Sequence, residues 1–175
     1  ELLEEPHGWH KSRDPIYPTT ELHFIMDAFT ADDRRFVAQL LTRRLAPAVT
    51  TLYGLPAAAL RVNDLFLVRY DANGMHKRIA LKPHTDNSDI SFNILLNDEF
   101  TDGGTQFLIH DASATDDTQA GTPFALVQPS VGNAILHSSH VLHEGYPISS
   151  GSRMVIVGIL SIDGQPPVTR TVSGI

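Results

Sequence analysis

From Pro56 onward the chain is a series of short apolar runs, each soon interrupted by a turn. Leu65–Tyr70, Ile90–Leu96, Thr105–Ile109, Phe124–Val127, Ala134–His137 and Met154–Ile162 are the strand candidates. Between them stand Asp71-Ala72-Asn73-Gly74, Asp102-Gly103-Gly104, Asp116-Asp117, Pro129-Ser130 and Ser149-Ser150-Gly151. Runs this short suit pleated strands better than helices, and turns this frequent bring successive strands back antiparallel. The pattern predicts an antiparallel sandwich or barrel. No run approaches the ~18–20 apolar residues of a membrane span, so no membrane partner is expected.

Upstream the period changes. Thr30 reads as an N-cap, with Asp32 and Asp33 in the first turn where acids suit the helix dipole. Phe36, Val37, Leu40, Leu41 and Leu45 follow at helical spacing. Pro47 should end or kink that helix, and Val49 and Leu52 carry its stripe on to Tyr53-Gly54. A strand is expected near Leu22 to Met26. Residues 1–20, with Pro6, Pro15 and Pro18, read as an extended arm, and 21–175 as a single domain with helices in front of a β core. The loops Ala72–Lys82 and Asp111–Gly121 are expected to act as lids near a site, with Asp116 and Asp117 solvated. The start Glu1-Leu2-Leu3-Glu4-Glu5 has neither the basic nor the apolar region of a signal peptide, so a cytoplasmic location is the expectation.

Chemistry is narrowed by what is missing. There is no cysteine, which removes disulfides, thiolate catalysis and sulfur-ligated metals. Lysine plus arginine is 13 against 20 acids, a formal charge of −7, so no nucleic-acid partner is expected. The chain has nine histidines, so a protein-held metal would have nitrogen and oxygen ligands. Two clusters rise above the rest. In His84-Thr85-Asp86, residues i and i+2 on or just after a strand offer an imidazole and a carboxylate to one point. His137-Ser138-Ser139-His140-Val141-Leu142-His143 can supply a third ligand, completing a two-histidine, one-carboxylate set with open positions. A zinc-type set of His137, His140 and His143 is the alternative, although that spacing does not put three side chains on one strand face. Arg153, ten residues after His143, stands at the mouth of the apolar run Met154–Leu160. A guanidinium there is costly unless it meets an anion, either a carboxylate ligand or one of the chain's own acids.

Together these residues resemble the Fe(II)/2-oxoglutarate-dependent dioxygenases, in particular the catalytic domain shared by prolyl 4-hydroxylases and procollagen lysyl hydroxylases. The resemblance covers about residues 62–163. It rests on Val68-Arg69-Tyr70, Pro83-His84-Thr85-Asp86 followed by Ser91–Asn97, Gly103-Gly104-Thr105-Gln106-Phe107-Leu108, and His143-Glu144-Gly145-Tyr146-Pro147 with Gly151-Ser152-Arg153. Many prolyl 4-hydroxylase relatives carry a tyrosine where this chain has Ile94-Leu95-Leu96, and some have lysine in place of Arg153. Both departures favour the lysyl hydroxylase side. The absence of cysteine and the segment Ala72–Ala80 depart from that branch, so a collagen substrate does not follow.

The resemblance implies a mainly β (α+β) fold, a double-stranded β-helix or jelly roll with N-terminal supporting helices. It implies His84, Asp86 and His143 as iron ligands and Arg153 as partner of the distal carboxylate of 2-oxoglutarate. Tyr70 and Asn93 would hydrogen-bond the same co-substrate. Read on their own, Tyr70 also suits a core aromatic and Asn93 a solvent-facing strand residue. The implied cofactors are Fe(II), 2-oxoglutarate and O2, with ascorbate a candidate reductant. The implied reaction is hydroxylation of an unactivated C–H bond in a peptidyl lysine or proline or a related amino acid, with 2-oxoglutarate decarboxylated to succinate and CO2. No catalytic residue beyond the metal ligands is required. The alternatives are a non-redox, cupin-like metal-binding sandwich and an inactive interaction module; Asp86 argues against a halogenase, which lacks that carboxylate. Oligomeric state, and any role of His137 and His140, are unassigned at this level.

Overall fold

The computed structural model describes residues 10–11, 19–24, 29–73, 78–110 and 121–164. The strands are β1 His10–Lys11, β2 Thr20–His23, β3 Leu60–Asp71, β4 Leu81–His84, β5 Ile90–Leu95 and β6 Phe100–Asp102. They continue with β7 Thr105–Ile109, β8 Thr122–Val127, β9 Ala134–Ser138, β10 His143–Gly145 and β11 Ile148–Ile162. The helices are α1 Ala31–Leu40 and α2 Ala46–Tyr53. Two antiparallel sheets face each other. The major sheet runs β1-β2-β3-β11-β5-β9, with β6 also on β11; the minor sheet runs β4-β10-β7-β8. From β3 onward the chain passes back and forth between the sheets, with β3, β5, β6, β9 and β11 in the major sheet and β4, β7, β8 and β10 in the minor one, in keeping with the jelly roll expected from the sequence.

The helices form as their caps and stripe dictate. The Thr30 side chain accepts from the Asp33 amide at 3.2 Å while the Asp33 carboxylate accepts from the Thr30 amide at 2.8 Å, a reciprocal capping box. Pro47 neither ends the helix nor breaks its direction outright. Its ring would strike the carbonyl four residues back, and the chain relieves this through one wide turn, Leu41–Leu45, in which the Ala46 amide donates to the Leu41 carbonyl. Val37, Leu45 and Val49 then pack on Phe92, Ile94, Ile156 and Leu160 of the outer face of the major sheet.

Several boundaries differ from the sequence reading. The strand expected at Leu22 to Met26 is Thr20–His23, and residues 25–28 lie outside the described residues. β3 begins at Leu60, well before Leu65, because Arg61 and Val62 still pair with β11. Ile148–Gly151, read as a loop or turn, belongs to the same fifteen-residue strand as Arg153 and pairs with β6. The register shifts there and Gly151 has φ 77, so a bulge continues a strand that sequence pattern ends. β4, β6 and β10 are only three or four residues long, too short to show a period. Pro83 sits in β4, at the edge of the minor sheet, where its missing N–H is tolerated. Most of the expected arm (1–9 and 12–18), the tip of the first expected lid (74–77), and the second expected lid with Asp116 and Asp117 (111–120) lie outside the described residues.

Candidate metal centre

The inner face of the major sheet and the minor sheet enclose a cavity of about 430 Å³. Strand alternation chooses what lines it. On β5, Ser91 and Asn93 point in while Phe92 packs outward; on β11, Arg153, Val155, Val157 and Ile159 point in. Tyr70, Phe66 and Asp64 come from β3, Glu21 from β2, Thr105 from β7 and His137 from β9. His84 and His143 enter from the minor sheet, where β4 and β10 place them directly opposite each other.

That pairing assembles the cluster. One ligand atom each from His84, Asp86 and His143 lies within 4.8 Å of the others. His84 Nε2 is 3.7 Å from one Asp86 oxygen and His143 Nε2 is 3.7 Å from the other. Each ring donates its Nδ1–H to a main-chain carbonyl, His84 to Lys82 at 2.8 Å and His143 to Val141 at 2.9 Å. The Nδ1 side of each ring is thereby fixed, and both Nε2 atoms face the carboxylate. Burial, reinforced by the neighbouring His84 imidazole, pushes His143 down to about 3, so this ring is neutral at ordinary pH. Two imidazole nitrogens and a carboxylate oxygen are the donor set of a borderline divalent transition metal, ferrous iron included. The residues present therefore fit such an ion.

The remaining sequence candidates converge on the same cavity. Arg153 is 2% exposed and its Nε–H has no hydrogen-bond partner. Its guanidinium carbon lies 5.2 Å from the Tyr70 ring centroid, and burial lowers the Arg153 pKa and raises that of Tyr70. Tyr70 is thus not simply a core aromatic: its hydroxyl reaches β10 at Gly145, where a Cβ would stand 2.5 Å from it. Asn93 is buried rather than solvent-facing. Its amide donates to Thr105 Oγ at 3.1 Å, and its carbonyl oxygen has no partner. Gly103, at φ 82 in the β6–β7 turn, leaves room for the Arg153 stem, which a Cβ would meet at 3.3 Å. A buried cation and a buried acceptor, both with unmet hydrogen-bonding capacity, carry a cost that a polar ligand would offset.

The alternative histidine set does not assemble. His140 is exposed in the β9–β10 turn. His137 is buried, donates Nδ1–H to the Ser138 carbonyl at 2.9 Å, and stands edge-on to the His143 ring at 4.5 Å. Thr105, Glu21 and Ser91 also line the cavity, and the sequence expectation does not include them. Ser91 had a signal: it is polar at i−2 from Asn93 in an otherwise apolar strand. Glu21 has none, because nothing local says that β2 joins the wall of the cavity.

No family model matches the chain. It is 32% identical over 122 residues to a procollagen lysyl hydroxylase and glycosyltransferase of Acanthamoeba polyphaga mimivirus, covering 67% of this chain and 12% of that protein. It is 29% identical over 126 residues to 2-oxoglutarate and iron-dependent oxygenase domain-containing protein 2 of Danio rerio, covering 71% of this chain and 34% of that protein. The chain thus spans 12% and 34% of these relatives' own length. Among solved structures, a Pseudomonas putida prolyl-4-hydroxylase superposes with a TM-score of 0.59 at 16% identity, over 89% of this chain and 78% of that one. At that identity the superposition establishes the fold.

Proposed function

Because the chain carries a domain of the 2-oxoglutarate- and iron-dependent oxygenases, with lysyl hydroxylases among its relatives, we propose that it hydroxylates an unactivated C–H bond. The required partners are Fe(II), 2-oxoglutarate and O2. His84, Asp86 and His143 hold the iron; Arg153, Tyr70 and Asn93 hold the co-substrate, with Thr105 beside Asn93. One observation carries the reading: a fully buried arginine with an unmet donor opens on the same cavity as a two-histidine, one-carboxylate cluster. A metal-binding sandwich without redox chemistry has no use for that arginine.

Bound together, iron and 2-oxoglutarate activate O2 for C–H hydroxylation, with succinate and CO2 as by-products. The chain's own residues do simpler work. His84 and His143 turn their Nε2 atoms toward the metal position because their Nδ1–H groups are committed to main-chain carbonyls. Arg153 neutralises and orients a carboxylate, and its planar fork suits two-point binding. Val155, Val157 and Phe66 keep the wall of the cavity apolar, which strengthens every charge interaction inside it. No side chain is needed as a general base.

For the substrate, a peptidyl lysine or proline or a related amino acid remains our reading, and one observation favours a cationic side chain. Glu21 and Asp64 line the cavity, and His23 bridges them, 3.0 Å from Glu21 and 3.2 Å from Asp64. Asp64 is six residues from Tyr70 along β3, about 20 Å at strand rise. The cavity therefore offers a cation at one end and an acidic wall toward the other.

The test is an anaerobic titration of the protein with Fe(II) and 2-oxoglutarate. A visible chelate band in wild type, absent in Asp86→Ala, supports the reading. Zinc binding with no 2-oxoglutarate affinity would overturn it in favour of the non-redox sandwich. Turnover assays on peptide and free amino-acid libraries then read the substrate; activity confined to a non-amino-acid compound would overturn that part.

A further inference from the structure

Asp86 is held more firmly than a ligand on a loop needs to be. Its amide donates to the Ser139 carbonyl at 2.8 Å, and the Ser139 amide donates to the Asp89 carbonyl at 3.0 Å. Asp89 is itself tied to β11, its amide on the Leu160 carbonyl at 3.1 Å and its carboxylate accepting from the Ile162 amide at 2.7 Å. The side chain is fixed as well. Ser91 Oγ donates to Asp86 Oδ2 in a short hydrogen bond, and Ser91 Oγ lies 2.8 Å from Ser139 Oγ.

Proton counting gives this chain a direction. A serine hydroxyl has one proton. If Ser91 gives its proton to the carboxylate, the contact with Ser139 must run the other way, with Ser139 donating to Ser91. Ser91 is 2% and Ser139 0% exposed, so no bulk water competes for these groups. Hydrogen bonds to a charged acceptor in a dry site are the stronger kind, and a hydroxyl that is itself accepting is the better donor.

We propose that Ser91 and Ser139 are positioning residues for Asp86: the relay Ser139→Ser91→Asp86 occupies one carboxylate oxygen, so that Asp86 offers a metal its other oxygen alone. A carboxylate free to swing can chelate and fill a position that the co-substrate needs. With Ser91 on Oδ2, chelation would have to use that oxygen's remaining lone pair, made a weaker donor by the hydrogen bond, in a carboxylate plane that the bond already fixes. The relay thus keeps the centre open. This inference rests on the metal reading above and adds the reason its carboxylate stays one-armed.

The experiment uses Co(II) as the probe, because its visible bands report coordination number and geometry independently of turnover. Wild type, Ser91→Ala, Ser139→Ala and Ser91→Thr are titrated with Co(II) and then with 2-oxoglutarate, and the thermal midpoint of each metal-free form is measured alongside. Loss of a group that orients a ligand typically costs about 10–100-fold in metal affinity. Ser91→Ala is expected to fall in that range, to alter the Co(II) spectrum, and to weaken 2-oxoglutarate binding to the Co(II) form. Ser139→Ala should move the same quantities by less, and Ser91→Thr, which keeps the hydroxyl, should restore them. A merely structural role would lower the midpoint and leave the spectrum alone. Wild-type Co(II) affinity and spectrum in Ser91→Ala overturn the inference while leaving the metal reading intact. No Co(II) binding by wild type overturns both.

Discussion

The two faces of the major sheet are built from the same strands and do opposite work. On β5, Ile90, Phe92 and Ile94 face the helices and join an apolar core with Val37, Leu45, Val49, Ile156 and Leu160. One residue over, Ser91 and Asn93 face the cavity, beside Arg153 and Tyr70. The outer face gains free energy from burial at about 25 cal/mol per Å² of apolar surface. The inner face gives some of it up, keeping a buried guanidinium and a buried amide oxygen without full partners. Stability and the candidate chemistry are therefore separated by a single step along a strand, and β5 is buried on both sides to allow it.

The largest effect should come from Arg153→Met. On the inner face this removes a buried charge and keeps much of the volume. Losing the charged partner of a ligand carboxylate costs about 2–5 kcal/mol, so 2-oxoglutarate affinity should drop roughly 30-fold or more. The metal-free protein should melt higher than wild type, because an apolar side chain suits that buried site better than a cation whose Nε–H has no partner. Calorimetric titration and a melt of the same sample measure both; a lower melting point with unchanged 2-oxoglutarate affinity would erase the proposed division between the faces.

Next is Phe92→Ala on the outer face. Truncating a fully buried phenylalanine costs about 3–5 kcal/mol, and Phe92 is 0% exposed. At this chain length the melting temperature should fall by on the order of 10 °C, while 2-oxoglutarate affinity measured well below the melt stays within twofold. A large loss of affinity there would mean that the two faces are coupled through β5.

The smallest effect is set furthest from the cavity. Thr30→Ala breaks the capping box of α1 and should cost about 1 kcal/mol, a few degrees in the melt, with no change in metal or co-substrate binding. Any shift in those affinities would show that the helices tune the site as well as support the sheet.

Most of the strands, and the pair His84 and Asp86 within the cluster that the fold assembles, are legible in the sequence for a common reason: their signals are local. Period-two apolar runs, the Thr30 cap and the turn glycines all act within a few residues. His84-x-Asp86 is likewise legible because i and i+2 share a strand face. Pro47 predicts an end or a kink, and the structure shows a wide turn instead, since the tertiary packing of Leu45 and Val49 holds the helix on course across it. Ile148–Gly151 was missed as strand because its pairing partner, β6, has no pattern of its own.

What the sequence determined alone was the alphabet of the fold and of its chemistry: short antiparallel strands after a capped helix, and nitrogen and oxygen donors with no sulfur. Tertiary structure decided which of those donors meet. His84 and His143 become neighbours only because β4 and β10 pair across the minor sheet, and Tyr70 meets Arg153 only because β3 pairs with β11. Ser139 reaches Ser91 and Asp86 from a turn 48 residues further along the chain than Ser91. Such contacts are set by register between strands, and register is a property of the folded sheet that no local window of residues contains.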